Sequence, residues 1–318
     1  MNFPQRRKVR KQKPEQMKKS QIANRQSQIT RVCLTIAGVD PSGGAGIIAD
    51  IKTFSAFGCF SAAAIASLTF QNTQGVFGAV HQTAETVRRQ IEPILDDYEI
   101  AALKTGMLPT REIIEEVARI VEKNNLRNFV VDPVVRATSG FDLIDDAALK
   151  SLIEKLFPLS ILVTPNIPEA ERISEMKIES AADIEKSARK IQSFGAKNVL
   201  IKGGHLPIAD CGLRIADFKY QTADAESNSK GKQTNGRKAI DFMFIGDDEF
   251  TFSANFIETT ATHGTGCTLS AAIAANLANG KTLRDAVETA KRFVTKAIRT
   301  APNLGKGHSP INHSIRNF

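Results

Sequence analysis

The 318-residue sequence lacks tryptophan, paired cysteines, long apolar runs and the common metal and dinucleotide motifs. The spacing of its four cysteines favours neither a disulfide framework nor a zinc ribbon. No segment approaches the ~18 consecutive apolar residues that a membrane-spanning helix needs. HExxH and GxGxxG are both missing, and the five histidines are scattered, so neither zinc catalysis nor a Rossmann fingerprint is indicated. We therefore expect a cytoplasmic protein that does not associate with membranes.

Basic residues are concentrated at one end of the chain. Residues 1–31 hold ten lysines and arginines but one acid, Glu15, whereas the rest carries 32 basic and 33 acidic residues. The folded body is therefore not expected to bind nucleic acid. Because the tail has few large apolar residues, we predict that it is disordered. A solvated extension, a polyanion-binding arm and a targeting segment all remain open for it.

Short apolar runs alternate with amphipathic stretches in the rest of the chain, which predicts one domain over residues 32–318. Helical patterns occupy 110–123, 145–156, 180–194, 265–279 and 282–300, and the runs between them read as buried parallel strands. The fold class is α/β, doubly wound, with helices on both faces of a mostly parallel sheet. The predicted strands are 32–39, 63–70, 101–106, 128–135, 161–166 and 198–204, followed by a hairpin at 242–252.

One region interrupts this alternation. Residues 221–239 contain no Val, Ile, Leu, Met, Phe or Tyr. Such a segment cannot offset its ordering entropy by burial, so we interpret about 207–240 as a low-complexity insertion at the surface.

Glycines, Asx residues and single charges follow five of the predicted strands. Ligands of open α/β sheets bind at the carboxyl ends of the strands, so these loops are predicted to form the site. The five loops are "GVDPSGGAG" (38–46), "KTGM" (104–107), "DPVVRATSG" (132–140), "TPNIPEAE" (164–171) and "KGGH" (202–205).

The turn "THGTGC" (262–267) leads directly into a small apolar helix. Gly264 and Gly266 let the backbone approach a ligand, and the free N–H groups of the helix N-terminus suit an anion. A cysteine at that position, Cys267, is expected to have a lowered pKa and thiolate character. It would then act as a nucleophile or base, although a buried thiol chosen for packing remains the alternative.

"NIPE" (166–169) places a carboxylate three residues after an amide where a helix is predicted to begin. Asn166 and Glu169 in this arrangement suit a hydrated Mg²⁺ that bridges phosphates. The alternative is that Glu169 only complements the helix dipole.

These segments together resemble the hydroxymethylpyrimidine/phosphomethylpyrimidine kinases of thiamine synthesis, within the ribokinase-like superfamily. The resemblance runs from about Val32 to His313 and is strongest in "LTIAGVDPSGGAGIIADIKTFSAFG" (34–58) and "HGTGCTLSAAIAANLANG" (263–280). It implies ATP, Mg²⁺ and two successive phosphoryl transfers, first to 4-amino-5-hydroxymethyl-2-methylpyrimidine and then to its monophosphate.

The resemblance also assigns roles to particular residues. Cys267 would accept or orient the proton of the attacking hydroxyl, while Gly264, Thr265 and Gly266 supply an anion hole. Pyrimidine recognition would fall to Gly38, Asp40, Gln71, Met107 and Val134. Asn166, Lys202 and Lys291 would serve the nucleotide, and Glu169 and Asp132 the metal. For Lys291, a place on the solvated face of its helix is the alternative.

Two further functions stay open at this point. Pyridoxal kinase, which acts in vitamin B6 salvage, belongs to the same superfamily and takes another flat heteroaromatic alcohol. A catalytically idle binding or regulatory module is the third possibility. We expect a homodimer in each case.

Overall fold

The computed structural model describes residues 30–136, 142–204, 220–222 and 237–315. Within them, ten strands form one sheet in the order β3-β2-β1-β4-β5-β6-β7-β9-β10-β8. The strands are β1 (Val32–Val39), β2 (Phe60–Asn72), β3 (Gly75–His81), β4 (Ile100–Thr105), β5 (Phe129–Val131), β6 (Leu162–Val163), β7 (Asn198–Gly203), β8 (Tyr220–Thr222), β9 (Lys238–Ile245) and β10 (Asp248–Asn255).

Six neighbouring strands at the centre of the sheet run parallel to one another, namely β2, β1, β4, β5, β6 and β7. β3 pairs antiparallel with β2 at one side, and β9 pairs antiparallel with both β7 and β10 at the other. The chain reverses its direction of travel across the sheet at β1, which has β2 on one side and β4 on the other. Sheets of this kind bind ligands outside the carboxyl ends of the strands at such a reversal.

Helices cover both faces of the sheet. They are α1 (Gly46–Ala56), α2 (Ala84–Asp97), α3 (Arg111–Lys123), α4 (Asp146–Ser151), α5 (Ile167–Ser174), α6 (Ala181–Ser193), α7 (Thr265–Ala278) and α8 (Leu283–Arg299). A π turn and a 3₁₀ turn extend α4 to Leu159. In the described part of the chain, every helix is too short or too polar to cross a bilayer.

The core consists of two apolar layers, one on each face of the sheet. Leu34 and Ile36 of β1 point into the layer that α2 to α6 cover. Cys33, the residue before Leu34, points into the opposite layer beneath α1, α7 and α8, where Phe54 and Phe293 are fully buried. This alternation along β1 confirms the predicted arrangement of helices on both faces.

The boundaries of the predicted insertion differ from the structure. β8 lies inside 207–240, and β9 already begins at Lys238. β8 pairs with β10, and β9 pairs with β7. Both ends of the predicted insertion therefore belong to the sheet. The remainder of the insertion, 205–219 and 223–236, and nearly all of the basic tail lie outside the described residues.

Candidate active site

A cavity of about 1140 Å³ opens at the carboxyl ends of the parallel strands. All fourteen predicted site residues line it, although they come from eight separate segments of the chain. The fold of the sheet therefore brings these residues together, while their individual roles stay predictions.

Two helix N-termini face this cavity without a side-chain cap. The described helices α2 to α6 and α8 begin at a residue whose side chain accepts a backbone N–H, as Thr110 does for α3 and Asn166 for α5. α1 begins after Ala45 and α7 after Gly264, and neither has such a bond. Because no side chain caps them, the first turns of these two helices are open to an anionic ligand.

The Gly-Thr-Gly turn depends on its glycines. Gly264 has φ of +80°, and a Cβ there would lie 1.8 Å from the carbonyl oxygen of Gly44. A Cβ on Gly266 would lie 3.2 Å from Lys202 Nζ, so this glycine leaves room for the ammonium group. The hydroxyl and the backbone N–H of Thr265 both donate to the Thr262 carbonyl oxygen, at 3.0 and 3.3 Å, so this residue holds the turn together and has no free N–H for an anion.

Cys267 lies in the first turn of α7 and lines the cavity, so it is not walled off from ligands. The prediction of a lowered pKa is wrong. Burial raises the pKa of the thiol to about 11, and the carboxylates of Asp132 and Asp50 also raise it. Lys104 and the Gly46 N–H act in the opposite direction without outweighing burial. Cys267 is therefore a neutral thiol at physiological pH.

Lys104, which the sequence analysis did not select, is fully buried at the end of β4. Its ammonium lies 2.8 and 3.0 Å from the two carboxylate oxygens of Asp50, whose Oδ2 also accepts from the Thr35 hydroxyl at 2.6 Å. Burial would lower the pKa of Lys104, but Asp50, Cys267 and Asp132 raise it above its ordinary value. In the sequence, Lys104 could have been noticed as the single charge in "KTGM", at the end of a predicted buried strand.

Asp132 and Glu169 face a shared cation. Lys202 Nζ lies 2.7 Å from Asp132 Oδ1 and 3.8 Å from Glu169 Oε2. Burial would raise the pKa of Asp132, but Lys202 and Lys104 hold it below its ordinary value. Burial raises the pKa of Glu169 to about 7, and the nearby Asp132 carboxylate also raises it, while Lys202 and two backbone N–H groups lower it without outweighing them.

Asn166 and Glu169 also form a reciprocal cap at the start of α5. The Glu169 N–H donates to Asn166 Oδ1 at 2.8 Å, and the Asn166 N–H donates to Glu169 Oε2 at 2.7 Å. Glu169 therefore does serve the start of the helix, which was the alternative to metal binding. Each oxygen keeps a further lone pair, so capping does not exclude a contact to a hydrated cation.

The residues present fit Mg²⁺ better than a fully protein-ligated metal. No group of three or more His, Cys, Asp or Glu side chains suited to a metal occurs in the described part of the chain. Mg²⁺ is commonly held by one or two carboxylates, with water and substrate phosphates as the other ligands. Asp132 and Glu169 match that pattern.

Lys291 does not lie on a solvated face of α8, so that alternative is wrong. Its side chain is buried, and its ammonium lies 2.8 Å from Asp241 Oδ2. Asp241 also accepts from the Gly203 N–H at 3.1 Å. The pair ties α8 to β9 and β7 at the wall of the cavity.

Apolar side chains also contribute to the cavity wall. Met107 and Val134 line it, and a Cβ on Gly38 would come within 3.0 Å of the Met107 methyl group. The carboxylate of Asp40 is hydrogen-bonded within its own loop, where it accepts from Ser42, Gly44 and Ala45. The geometry thus gives Asp40 a role in organising the loop before α1.

His263 is a second residue that the sequence analysis did not select. It is buried directly before Gly264, and its Nε2 lies 2.7 Å from Asp40 Oδ2 and 3.5 Å from the Gln71 amide. Burial would raise the pKa of Asp40, but the bonds from His263 and Ser42 lower it below its ordinary value. Asp40 is therefore an acceptor for the imidazole N–H.

Comparison with known proteins agrees with this geometry. The family model described as phosphomethylpyrimidine kinase matches residues 40–312. A hydroxymethylpyrimidine/phosphomethylpyrimidine kinase of Haemophilus influenzae is 41% identical over 281 residues, which are 88% of this chain and 95% of that protein. The chain also spans 52% of the longer thiamine biosynthesis bifunctional protein of Geobacter sulfurreducens, with 40% identity.

Solved structures with the same fold include both kinds of vitamin kinase. The phosphomethylpyrimidine kinase of Clostridium difficile superposes with a TM-score of 0.67 at 36% identity, covering 85% of this chain and all of that one. The pyridoxal kinase of Bacillus subtilis, solved as an ADP complex, gives 0.74 at 33% identity, with 90% and 98% covered. From the matched residues and these identities, the chain belongs to the phosphomethylpyrimidine kinase family.

Proposed function

We propose that this chain transfers the γ-phosphoryl group of ATP to the hydroxymethyl group of 4-amino-5-hydroxymethyl-2-methylpyrimidine, and then a second one to the resulting monophosphate. The observation that carries the proposal is the shared cavity. It brings the apolar side chains of Met107 and Val134 together with two uncapped helix N-termini and the carboxylates of Asp132 and Glu169. A flat ring and a polyphosphate can occupy such a cavity together.

Phosphoryl transfer needs positioning and charge neutralisation more than covalent chemistry. Cys267 is protonated before the substrate binds. Its sulfur would accept a hydrogen bond from the hydroxyl group of the substrate and so orient the oxygen toward the γ-phosphorus. The N–H groups that follow Thr265 would stabilise the charge on the transferring group. In a loose transition state the acceptor proton leaves late, so a preformed thiolate is not required.

The nucleotide side of the site would use its cations after ligand binding. Lys202 is neutralised by Asp132 and Glu169, so a phosphate must compete with these carboxylates for it. Asp132 and Glu169 would hold a hydrated Mg²⁺, which supplies charge neutralisation to the phosphates when bound. Asn166 and Lys291 line the same side and would contact the nucleotide.

Pyridoxal phosphorylation is the second candidate. Its support is the likeness to pyridoxal kinases, including one from Staphylococcus aureus solved with AMP-PCP and pyridoxal, at a TM-score of 0.74 and 30% identity. The pyrimidine is favoured because the family model and the Haemophilus influenzae relative carry pyrimidine kinase names. We also retain the homodimer and the cytoplasmic location as proposals.

An assay with ATP and Mg²⁺, supplied with either the pyrimidine or pyridoxal, tests the function. We expect two ADP released per pyrimidine. One ADP per pyrimidine would remove the second transfer from the proposal, and turnover of pyridoxal alone would replace the substrate. In Cys267→Ala we expect kcat to fall at least tenfold with little change in ATP affinity, since an interaction made in the transition state is lost.

A further inference from the structure

A segment that follows α8 lies across two separate parts of the site. We call residues 303–313, "NLGKGHSPINH", the strap. It forms neither a helix nor a strand, and nearly all residues of its first half, 303–308, are exposed. Because this half buries little apolar surface, its backbone hydrogen bonds decide where it lies.

The first half of the strap is bonded to Thr73, in the turn between β2 and β3. The N–H groups of Lys306 and Gly307 donate to Thr73 Oγ1 at 3.2 and 3.3 Å, and the N–H of His308 donates to the Thr73 carbonyl oxygen at 2.7 Å. A hydroxyl oxygen has two lone pairs and can accept both of the first two bonds. Three successive donors of the strap therefore converge on one residue.

Two glycines make this contact possible. Gly305 has φ of +83°, and a Cβ there would lie 2.3 Å from Thr73 Oγ1. A Cβ on Gly307 would lie 2.1 Å from the Thr73 carbonyl oxygen. Only glycine lets the backbone of the strap come this close to the turn.

The second half of the strap holds the start of α7. The carbonyl oxygen of Ser309 accepts from the His263 N–H at 3.3 Å. Further along, His313 Nε2 lies 2.9 Å from Thr268 Oγ1, and both side chains are buried. His263 and Thr268 immediately flank residues 264–267, so the strap is bonded to both ends of the Gly-Thr-Gly-Cys segment.

The turn at the other end of the strap belongs to the cavity wall. Asn72 pairs with Gly75, which places Thr73 at the tip of the β2–β3 hairpin. Gln71 and Val76, on either side of this tip, line the cavity. The strap therefore joins a wall of the cavity to the segment that would act on the transferring phosphoryl group.

We propose that the strap couples the β2–β3 turn to the Gly-Thr-Gly-Cys segment, and that Thr73 and Gly307 are positioning residues for the phosphoryl transfer. This deepens the proposed function and rests on it. With the strap docked on Thr73, His263 and Thr268 are held in place, and so are the thiol and N–H groups between them. Donors that are fixed before the reaction need no reorganisation during it.

Two substitutions release the strap in different ways. Thr73→Val keeps the shape of the side chain but removes the acceptor of two N–H groups, and Gly307→Ala pushes the strap away from the turn. In both we expect kcat for the pyrimidine to fall about tenfold with little change in KM for ATP, because groups that act in the transition state are misplaced. Thr73→Ser keeps the hydroxyl and should retain the wild-type kcat. Wild-type kcat in the folded Thr73→Val and Gly307→Ala proteins would overturn the coupling.

Thr83→Val is the matched control. Thr83 Oγ1 accepts from the Thr86 N–H at 3.1 Å at the start of α2, which covers the face of the sheet opposite to α7. The substitution also removes an acceptor of a backbone N–H, so urea unfolding should show a similar loss of stability, but kcat should not change. An equal fall of kcat in Thr83→Val and Thr73→Val would assign the effect to general destabilisation and contradict the proposal.

Alkylation of Cys267 by iodoacetamide tests the coupling without substrate or ATP. In Thr73→Val and Gly307→Ala the rate at a fixed pH should rise about fivefold, because a loosened turn exposes the thiol. Cys33 and Cys59, buried in the layer beneath α7, are internal controls whose rates should stay the same. An unchanged rate at Cys267 would overturn the coupling even if kcat falls. A raised rate in a protein without kinase activity would support the coupling and reject the proposed function.

Amide hydrogen exchange of the wild-type protein tests the docking without any variant. We expect the N–H groups of residues 306–308 to be protected, since all three are bonded to Thr73. Exchange there at the rate of an unstructured chain would overturn the proposal. In Thr73→Val, exchange should become faster in 306–308 and in 262–267 together, whereas a change confined to the strap would show that it does not position the segment.

Discussion

At the level of single residues, three largely buried lysine–aspartate pairs adjoin the cavity, and the lysine of each pair is part of its lining. Each pair joins different elements, and each lysine is within 3.0 Å of its carboxylate; the pairs are Lys104–Asp50, Lys202–Asp132 and Lys291–Asp241. Pairing satisfies charges that would otherwise be costly to bury. If Lys202 or Lys291 binds phosphate as proposed, the phosphate would have to displace the aspartate from its lysine, because neither ammonium is free.

The raised pKa of Cys267 predicts how its thiol reacts with pH. Only the thiolate is alkylated, so the rate with iodoacetamide should rise about tenfold per pH unit and still be rising at pH 10. Peptide mass spectrometry of quenched samples measures this rate. Glutathione in the same mixture is the control, because an unperturbed thiol approaches its limit soon above pH ~8.5. A plateau for Cys267 at or below that pH would contradict the neutral thiol.

Removal of Lys104 alone should be far more harmful than removal of its whole pair. Lys104→Met leaves the Asp50 carboxylate buried without its cation, for which we expect a loss of about 3–5 kcal/mol in the free energy of unfolding. Lys104→Met with Asp50→Leu should recover much of that loss. Urea unfolding measures both variants.

The exposed pair Arg111–Glu115 on α3 provides the control for this experiment. Arg111→Ala should change stability little, because surface ion pairs are screened by water. If Lys104→Met were as stable as Arg111→Ala, the Asp50–Lys104 pair would not be the structural element that its burial indicates.

For α7, the turn that precedes the helix is the sensitive feature. Gly264→Ala would place a methyl group 1.8 Å from the Gly44 carbonyl oxygen, so the turn and the loop before α1 must separate. Gly280→Ala is the matched control, since Gly280 has φ of +84° but a Cβ added to it would meet no atom within 4 Å. It should cost about 1–2 kcal/mol from backbone strain alone.

We expect Gly264→Ala to lose several kcal/mol more than Gly280→Ala in urea unfolding, and to lose ATP-dependent turnover as well. Equal effects of the two substitutions would show that contact with Gly44 does not constrain the turn.

The same elements show what the sequence could predict. The bounds of β1 follow from a mostly apolar run, and the Gly-Thr-Gly turn marks the start of α7. β6 has two residues, too few for a periodic pattern to define its ends. The contacts of His263 could not be predicted, because its neighbours Asp40, in a loop, and Gln71, in β2, are almost 200 residues or more away in sequence.

The sign of the Cys267 pKa shift was missed for a related reason. A helix N-terminus is visible in the sequence and lowers the pKa of a thiol. The burial of that thiol between Asp50 and Asp132 depends on how α1 and the end of β5 pack around α7. Such three-element packing has no local sequence pattern.

At the level of the whole molecule, the β2–β3 edge of the sheet exposes a group of large apolar side chains. Several large side chains there are at least 40% exposed, namely Phe60, Leu68, Phe70, Phe77 and Val80. Exposed apolar groups along an edge strand are typical of an interface or an aggregation site. Because Gln71 and Val76 of the same two strands line the cavity, a partner at this edge would also stabilise the pyrimidine end of the site.

A homodimer through this edge predicts a change in mass when its apolar surface is made charged. Phe77 is 69% exposed, so Phe77→Lys should leave the fold intact but convert a dimer into a monomer in sedimentation velocity. Ser193→Lys, on the exposed side of α6, adds the same charge elsewhere and should leave the mass unchanged. We also expect KM for the pyrimidine to rise in Phe77→Lys, because the β2 and β3 residues around Gln71 lose their support. A wild-type protein that sediments as a monomer, or a Phe77→Lys variant that remains a dimer, would show that this edge is not the interface.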